Sequence, residues 1–251
     1  MKQSQFYYLL RRGLFKGASI VKEGLVMFNK FTTAGISHPA QGSAAFDGAS
    51  DYIQLDTPFS YTNHTIAAWV YLPDTYAANY VFDQRDGNND GFNMLVFQDK
   101  LFYQLNDSDV SNTISIENEW AHLVCQYNGT TQATYLNGSL LGSTSTSQTI
   151  STTNDATIGK ESVASNYYLN GNLANVAIWN RALSSDEINS VMWKNYDALE
   201  ASEKSGLQAW YSLDDVASPS ASLATMEALA VDKDATIENT AAITAAINAL
   251  S

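Results

Sequence analysis

Short runs of alternating apolar and polar residues recur along the middle of the chain, separated by turns rich in Gly, Asn and Asp. The alternation is clearest where every second residue from Ala121 to Tyr127 is apolar and shares one face. Residues 65–72 are apolar on both faces, which is typical of a central strand. Further strands are predicted over 52–55, 80–82, 92–96, 101–105, 133–136 and 207–213. Short strands at this spacing predict an all-β, two-sheet antiparallel β-sandwich.

One helical segment interrupts the strands. Ser184 and Glu187 have the spacing of a capping box, in which the two side chains satisfy backbone N–H groups at the start of a helix. Ile188 and Val191 then fall on one helical face. We therefore predict one short helix over 184–194, capped by Ser184.

The strand pattern predicts a single domain over 20–215, with an N-terminal arm over 1–19 and a C-terminal tail over 216–251. The arm mixes aromatic and basic residues without a clear period. The end of the tail has apolar residues at helical spacing, which predicts a short amphipathic helix over 237–250. Both segments are expected to make assembly contacts through Phe6, Tyr7, Leu10, Arg11, Arg12, Ile243, Ile247 and Leu250.

Charge, cysteine content and apolar runs exclude several classes of partner and of covalent or membrane structure. The net charge is −13, and such a surface repels nucleic acid, whose binding depends on neutralising phosphates. A single cysteine excludes an intrachain disulfide. The apolar run over 6–10 is too short to predict a signal peptide, and no run approaches the roughly 18 residues of a membrane span.

Several segments, in order, resemble the motifs of one family. They are AFDGASDYI (45–53), TIAAWV (65–70), EWAHLV (119–124), YLNG (135–138), TIG (157–159), LNGNL (169–173) and IWNRALS (178–184). Over roughly 25–195 the chain resembles the laminin G-like, concanavalin A-like (pentraxin-like) jelly roll. The resemblance implies two facing sheets with binding loops along a rim. It also implies a role of the kind found in surface adhesins, carbohydrate-binding modules and phage structural proteins.

The same fold carries some glycoside hydrolases, which depend on paired carboxylates. Retaining hydrolysis needs two carboxyl groups about 5–5.5 Å apart, and hydrolases of this family use a Glu-x-Asp-x-Glu arrangement. Glu117 and Glu119 come closest, but no third acid accompanies them. We therefore predict no catalytic residues and no enzymatic activity. His122 is expected to be a packed, hydrogen-bonded strand residue and Cys125 an inert core thiol.

Two groups of residues are candidates for a ligand site, and each has a simpler interpretation. Asp86, Asn88 and Asp90 alternate in a tight loop, which suits either a structural calcium ion or an ordinary hairpin turn. No other cofactor is expected. Tyrosines near loops are candidates for a sugar-stacking platform or for sheet packing, namely Tyr76, Tyr80, Tyr167 and Tyr168.

Three hypotheses follow for function. The first is a non-enzymatic virion structural protein, such as a phage capsid decoration, tail or fibre component, assembled in the host cytoplasm. Its partners would be other virion proteins, further copies of itself and cell-surface glycans. The alternative is a carbohydrate-binding adhesin or module, extracellular or on a cell surface. A glycoside hydrolase is the least favoured of the three.

Overall fold

The computed structural model describes residues 42–55, 58–59, 61–150, 154–163, 166–213 and the backbone of 230–231. The predicted arm over 1–19 and the predicted helix over 237–250 lie outside the described residues. So do the side chains to which assembly contacts were assigned, which are Phe6, Tyr7, Leu10, Arg11, Arg12, Ile243, Ile247 and Leu250. Within the described part, no helix is long and apolar enough to cross a membrane.

The strands form two antiparallel sheets, which confirms the predicted fold class. Sheet A contains β1 (Ala44–Asp47), β3 (His64–Tyr71), β8 (Trp120–Tyr127), β9 (Thr131–Leu136), β10 (Ser139–Ser145), β12 (Asn170–Trp179), β13 (Leu207–Tyr211) and β14 (Ala230–Val231). Sheet B contains β2 (Ile53–Leu55), β4 (Asn79–Asp83), β5 (Phe92–Phe97), β6 (Lys100–Leu105), β7 (Ser108–Thr113) and β11 (Ala156–Ile158). The strand order is β10-β9-β8-β3-β12-β13-β14 in sheet A and β2-β11-β4-β5-β6-β7 in sheet B.

Strand β12 organises one side of sheet A. It pairs with β3 from Asn172 to Trp179, apart from a bulge between Ala174 and Ala177. Along its other edge, the first half of β12 pairs with β1 and the second half pairs with β13. The bulge contains Asn175, whose positive φ of 49° suits an asparagine.

The main core lies between the two sheets and is built by alternate residues of each strand. Every second residue from Ala121 to Tyr127 belongs to it, as the sequence pattern predicts. Strand β3 contributes Ile66, Ala68 and Val70 from one face. Its other face contributes Ala67 and Trp69 to separate clusters on the outer side of sheet A. The apolar residues on both faces of β3 are explained by this double burial.

Helical segments cover part of the outer side of sheet A. Helix α1 (Ser185–Val191) begins at the predicted cap, where Glu187 N donates to Ser184 Oγ at 3.2 Å and Ser184 N donates to Glu187 Oε2 at 2.8 Å. It ends at Val191, three residues before the predicted end. A 3₁₀ turn (Tyr196–Ala198) and a one-turn helix α2 (Ala201–Lys204) follow, and neither was predicted from the sequence. Leu183, Ile188 and Val191 pack with sheet A residues such as Trp179 in one buried cluster.

Candidate functional site

The outer side of sheet B carries a row of polar side chains across four strands. Asp83 of β4 pairs with Asn93 of β5, Asn93 pairs with Gln104 of β6, and Gln104 pairs with Asp109 of β7. Adjacent residues Phe82, Met94 and Tyr103 belong to the inter-sheet core. Because successive side chains of a strand point to opposite faces, the four polar residues point outward. We call them the polar row.

An apolar row lies beside the polar row on the same face. Tyr80 pairs with Leu95, and Leu95 pairs with Phe102. Tyr80 and Leu95 are buried without belonging to the inter-sheet core, whereas Phe102 is partly exposed. Tyr167, from the connection between β11 and β12, lies with its ring centroid 6.3 Å from that of Tyr80 and remains 49% exposed. The exposed ring of Tyr167 therefore extends the apolar row toward solvent.

A cluster of charged side chains joins the two rows at one end. Arg85 Nε donates to Asp83 Oδ1 at 3.3 Å, and Arg85 Nη2 donates to Glu161 Oε1 at 3.5 Å. The side chains of Asp83, Arg85 and Glu161 are only 0%, 12% and 15% exposed, respectively. We call these three residues the charged cluster. It contains two carboxylates and one guanidinium.

Neighbouring polar groups hold the charged cluster in place. Ser162 donates from its backbone N and its Oγ to Asp83 Oδ2, at 2.7 and 2.8 Å. Tyr80 donates its hydroxyl to Glu161 Oε1 at 3.2 Å. One terminal atom of the Asn93 amide lies 3.0 Å from Arg85 Nε, and since the guanidinium only donates, this atom is the amide oxygen. The cluster thus ties β4 and β5 to the loop that contains Glu161.

Burial shifts the ionisation of the groups around this cluster. The pKa of Asp83 is raised, chiefly by its burial, although Arg85 and Ser162 counteract part of that effect. The pKa of the Tyr80 hydroxyl is raised well above 10, first by burial and then by the negative charge of Glu161. Buried ion pairs contribute little net stability because desolvation offsets their attraction. Perturbed charged groups of this kind are candidates for a functional site.

The charged cluster leaves one acceptor without a partner. Glu161 Oε2 is buried and has no hydrogen-bond partner within the described part of the chain. Leaving a charged acceptor unpaired is costly, so such an atom marks a place where a donor from outside the chain is favourable.

Comparison with known proteins identifies the family. Residues 47–189 match the sequence profile described as the concanavalin A-like lectin/glucanases superfamily, of the laminin G type. The chain belongs to this superfamily. The match spans more than half of the sequence, from the end of β1 into helix α1, and contains all of sheet B. Strands β13 and β14 of sheet A lie beyond it. No curated protein sequence matches the chain significantly.

Several solved structures show a similar fold at low sequence identity. A heptameric SAP-like pentraxin from Limulus polyphemus is 22% identical, with a TM-score of 0.51 over 60% of this chain and 81% of the pentraxin. A Bacteroides ovatus protein described as carbohydrate-binding is 16% identical, with a TM-score of 0.54 over 70% of this chain and 53% of that protein. The CBM40 domain of the Ruminococcus gnavus IT-sialidase is 13% identical, with a TM-score of 0.52 over 61% of this chain and 97% of the domain.

The tyrosines predicted as a sugar platform are distributed over two neighbouring groups and one separate position. Tyr80 and Tyr167 lie together beside the charged cluster. Tyr168 contacts Tyr52 instead, at 6.2 Å between ring centroids, and Lys160 Nζ lies 4.5 Å from the centre of the Tyr52 ring. Tyr76, in the connection between β3 and β4, is 64% exposed. Their role as ligand-binding residues stays a prediction.

Sequence reasoning missed Asp83, Arg85 and Glu161, which form the most distinctive feature of this surface. Arg85 and Glu161 are 76 residues apart in the chain. No local motif joins them, and only the pairing of β4 with β11 brings their neighbourhoods together. Arg85 lies two residues after the end of β4, and an arginine just beyond a largely apolar strand was the one available signal.

The loop proposed for calcium hydrogen-bonds to itself. Asp86 Oδ1 accepts from the backbone N of Asn88 at 2.8 Å and of Asp90 at 2.9 Å, which is the geometry of an Asx turn. In the described ranges, no group of three or more His, Cys, Asp or Glu side chains is placed to hold a metal ion. The loop oxygens therefore fit the turn interpretation better than a preformed calcium site, and calcium binding remains to be tested.

The other candidate reactive side chains lie away from this surface. Some are buried and others are exposed. Cys125 is buried in the core, and burial raises the pKa of its thiol well above the ordinary value. His122 is packed at 3% exposure, but its Nδ1 has no hydrogen-bond partner among the described residues, contrary to the expected hydrogen-bonded histidine. Glu117 and Glu119 are exposed and directly precede β8, which is a strand of sheet A.

Proposed function

We propose that the chain is a glycan-binding protein that uses the outer surface of sheet B, formed by the apolar row, the polar row and the charged cluster. A sugar ring has an apolar C–H face and a rim of hydroxyl groups. The aromatic ring of Tyr167 offers a contact to the apolar face, and the partly exposed Gln104 amide and the exposed Asp109 carboxylate offer contacts to the hydroxyls. Asp83 and Asn93 of the polar row are buried. The observation that supports this most directly is the exposed ring of Tyr167 beside the buried Tyr80 and the charged cluster.

The fold is compatible with glycan binding. Two of the similar structures are described as carbohydrate-binding, and members of the superfamily include lectins. Function nevertheless depends on the site rather than on the fold. The proposal is therefore tied to named side chains.

Binding to an array of oligosaccharides, followed by calorimetry on the best ligand, tests the proposal. Tyr167→Ala is expected to weaken binding about tenfold, which corresponds to about 1.4 kcal/mol for a lost stacking contact. Trp193→Ala is the matched control, because Trp193 is 42% exposed and contacts Trp69 on the side of sheet A. Equal affinities for the wild type and Tyr167→Ala would count against this surface as the binding site.

We also propose that binding occurs without turnover. Asp83 and Glu161 are both engaged with Arg85, and Glu117 and Glu119 are exposed without a third acid near them in sequence. Incubation with a panel of β-glucans is expected to release no reducing ends. Measurable turnover that is abolished by Glu119→Gln would overturn this part of the proposal.

As the setting of this binding we propose a virus particle, in which the chain is a multimeric component held by its terminal segments. The support is the resemblance described from the sequence, which implies a role of the kind found in phage structural proteins among others. Deleting residues 1–19 or, separately, 232–251 is expected to lower the oligomeric state and the incorporation into particles. If both shortened chains assemble like the full chain, the cell-surface adhesin becomes the better setting.

A further inference from the structure

The charges of this cluster and their internal partners bear on which glycans the surface can bind. Arg85 is its only cation, and its guanidinium contacts Asp83, Glu161 and the Asn93 amide oxygen. Its side chain is 12% exposed. The donors that would recognise an anionic sugar are therefore already bound to groups of the chain itself.

An acidic sugar would have to compete with these internal partners. If a ligand carboxylate or sulfate displaced Asp83 from Arg85, Asp83 would stay behind as a buried charge, since its side chain is fully buried. Leaving one member of a buried pair uncompensated is strongly unfavourable. Two carboxylates beside one guanidinium also repel an incoming anion.

The other cations near this face are not placed to reverse this preference. Lys100 lies beyond the apolar row, opposite Phe97 and Thr113 at the end of the sheet. Lys160 lies over the rings of Tyr52 and Tyr168, at 4.5 and 5.4 Å from their centres. The far end of the polar row carries another carboxylate, that of the exposed Asp109.

What the cluster lacks is a donor. Glu161 Oε2 is a buried acceptor without a partner within the described residues, while Glu161 Oε1 accepts from Tyr80 and Arg85. The Glu161 side chain is 15% exposed, so a small rotation of its carboxylate would bring Oε2 within reach of a sugar hydroxyl, which donates without bringing negative charge. The exposed ring of Tyr167 lies beside Tyr80 and can support the ring of such a sugar.

We propose that the outer surface of sheet B selects uncharged glycans, with a sugar hydroxyl donating to Glu161, and rejects sialylated, uronic and sulfated glycans. This inference rests on the proposed glycan-binding function and adds the ligand class. It assigns Glu161 as a specificity-determining residue and Arg85 as the group that positions it.

The test compares neutral glycans with their acidic counterparts on the full chain. Neutral glucan, galactan, mannan and N-acetyllactosamine oligosaccharides are immobilised beside the same backbones carrying sialic acid, uronic acid or sulfate. Wild-type protein is expected to bind its best neutral glycan at least tenfold more tightly than the acidic counterpart. Equal or tighter binding of the acidic counterpart would overturn the inference and leave glycan binding in place. Failure to bind either class would overturn the proposed function itself.

A variant separates the local effect of Glu161 from the overall negative charge. Glu161→Gln keeps the size of the side chain but replaces the unpaired acceptor, so neutral binding is expected to weaken about tenfold and the preference over acidic glycans to shrink. Glu117→Gln makes the same charge change at an exposed site and is expected to leave both affinities unchanged. An equal effect of the two variants would assign the preference to net charge and contradict the role given to Glu161. The wild-type ratio decides selectivity even if Glu161→Gln folds poorly.

Discussion

Two buried histidines lie in the sandwich without a charged partner. His64 is fully buried, with its Nε2 2.6 Å from the Tyr103 hydroxyl and its ring stacked on Phe92 at 3.9 Å between centroids. His122 is packed against Trp69 on the outer side of sheet A. Burial lowers the pKa of each imidazole from 6.5 to about 3. Both rings are therefore neutral in the folded protein at any pH above that value.

The stability of the protein is accordingly expected to fall as the pH drops below about 6.5. Between pH 6.5 and 3 the unfolded chain binds protons at these histidines and the folded chain does not, so acid favours unfolding. Each histidine contributes a slope of up to about 1.4 kcal/mol per pH unit. The free energy of unfolding in urea, measured from pH 7 to pH 5, checks this.

A variant at one histidine supplies the control for this prediction. His122→Gln removes one of the two titrating groups and is expected to halve the slope between pH 6.5 and 5. The lowered pKa values of Asp47 and Glu187, about 2 each, affect stability only at lower pH, where their carboxylates begin to protonate in the unfolded chain. Because the raised pKa of Asp83 acts in the opposite direction, the deciding comparison is between slopes: equal slopes for the wild type and His122→Gln would contradict the burial described for His122.

Among single residues, roles that depend on nearby residues in the sequence were predictable. Contacts between residues far apart in the sequence were not. The Ser184 cap follows from a spacing of three residues, and the capping box is present. Cys125 follows from the alternation of its own strand. Arg85 and Glu161 meet only because two distant segments adjoin, and no pattern in the sequence signals that meeting.

The connection between β4 and β5 shows how one glycine can decide the path of an element. Gly91 has a positive φ of 121°, and a Cβ at this position would overlap the backbone oxygen of Gln84. Gly87 lies in the same loop with open space around it. The two glycines therefore differ in what an added methyl group would meet.

Gly91→Ala is expected to destabilise the protein by about 1–3 kcal/mol, because the backbone would have to leave its left-handed conformation. Gly87→Ala is expected to change the free energy of unfolding by less than about 0.5 kcal/mol. Urea denaturation of the two variants beside the wild type measures both effects. A similar loss for the two would show that the close approach of Gly91 to Gln84 does not constrain the loop.

The same loop determines the response to metal removal. Because Asp86 already accepts two backbone N–H groups, we expect the same melting temperature in chelator and in excess calcium. A bound ion would stabilise the folded state by mass action and raise that temperature. A calcium-dependent rise that disappears when Asp86→Ala and Asp90→Ala are combined would establish a calcium site here instead.

At the scale of elements, most strands with clear alternation were predicted, whereas the interior strands β11 and β12 and the edge strands β7 and β10 were not. Strand β7 has the sequence SDVSNT, in which only Val110 is buried. Strand β10 has SLLGSTS and no buried residue. Strands at the edge of a sheet bury little apolar surface, so their sequences lack the alternation that marks an interior strand. The pairing of β7 with β6 and of β10 with β9 is imposed by the neighbouring strand.

The two faces of the whole molecule are unequal. On the outer side of sheet A, Trp179 is buried against Leu183 and Ile188 of the segment that contains α1. The outer side of sheet B leaves Phe102 and Gln104 partly exposed and Asp109 exposed. The family resemblance anticipated two facing sheets, but the unequal covering of their outer sides was not stated from the sequence. It follows from the cluster that Trp179 and Trp210 form with the helical segment after β12.

The arrangement around β12 has a consequence for how this sandwich can be combined with other proteins. The first strand of the described domain, β1, starts opposite Leu173, and β13 ends opposite Val176, on the same edge of β12. The start of β1 and the end of β13 therefore lie at neighbouring points of β12, about 10 Å apart at roughly 3.3 Å per strand residue. Strand β14 continues the sheet beyond β13. A unit whose two junctions adjoin can be inserted into a surface loop of a host protein without separating the ends of that loop. The same closeness allows circular permutation, in which the start of β1 and the segment after Leu213 are joined by a linker and new ends are opened at the β8–β9 turn, where Asn128 and Thr130 are exposed.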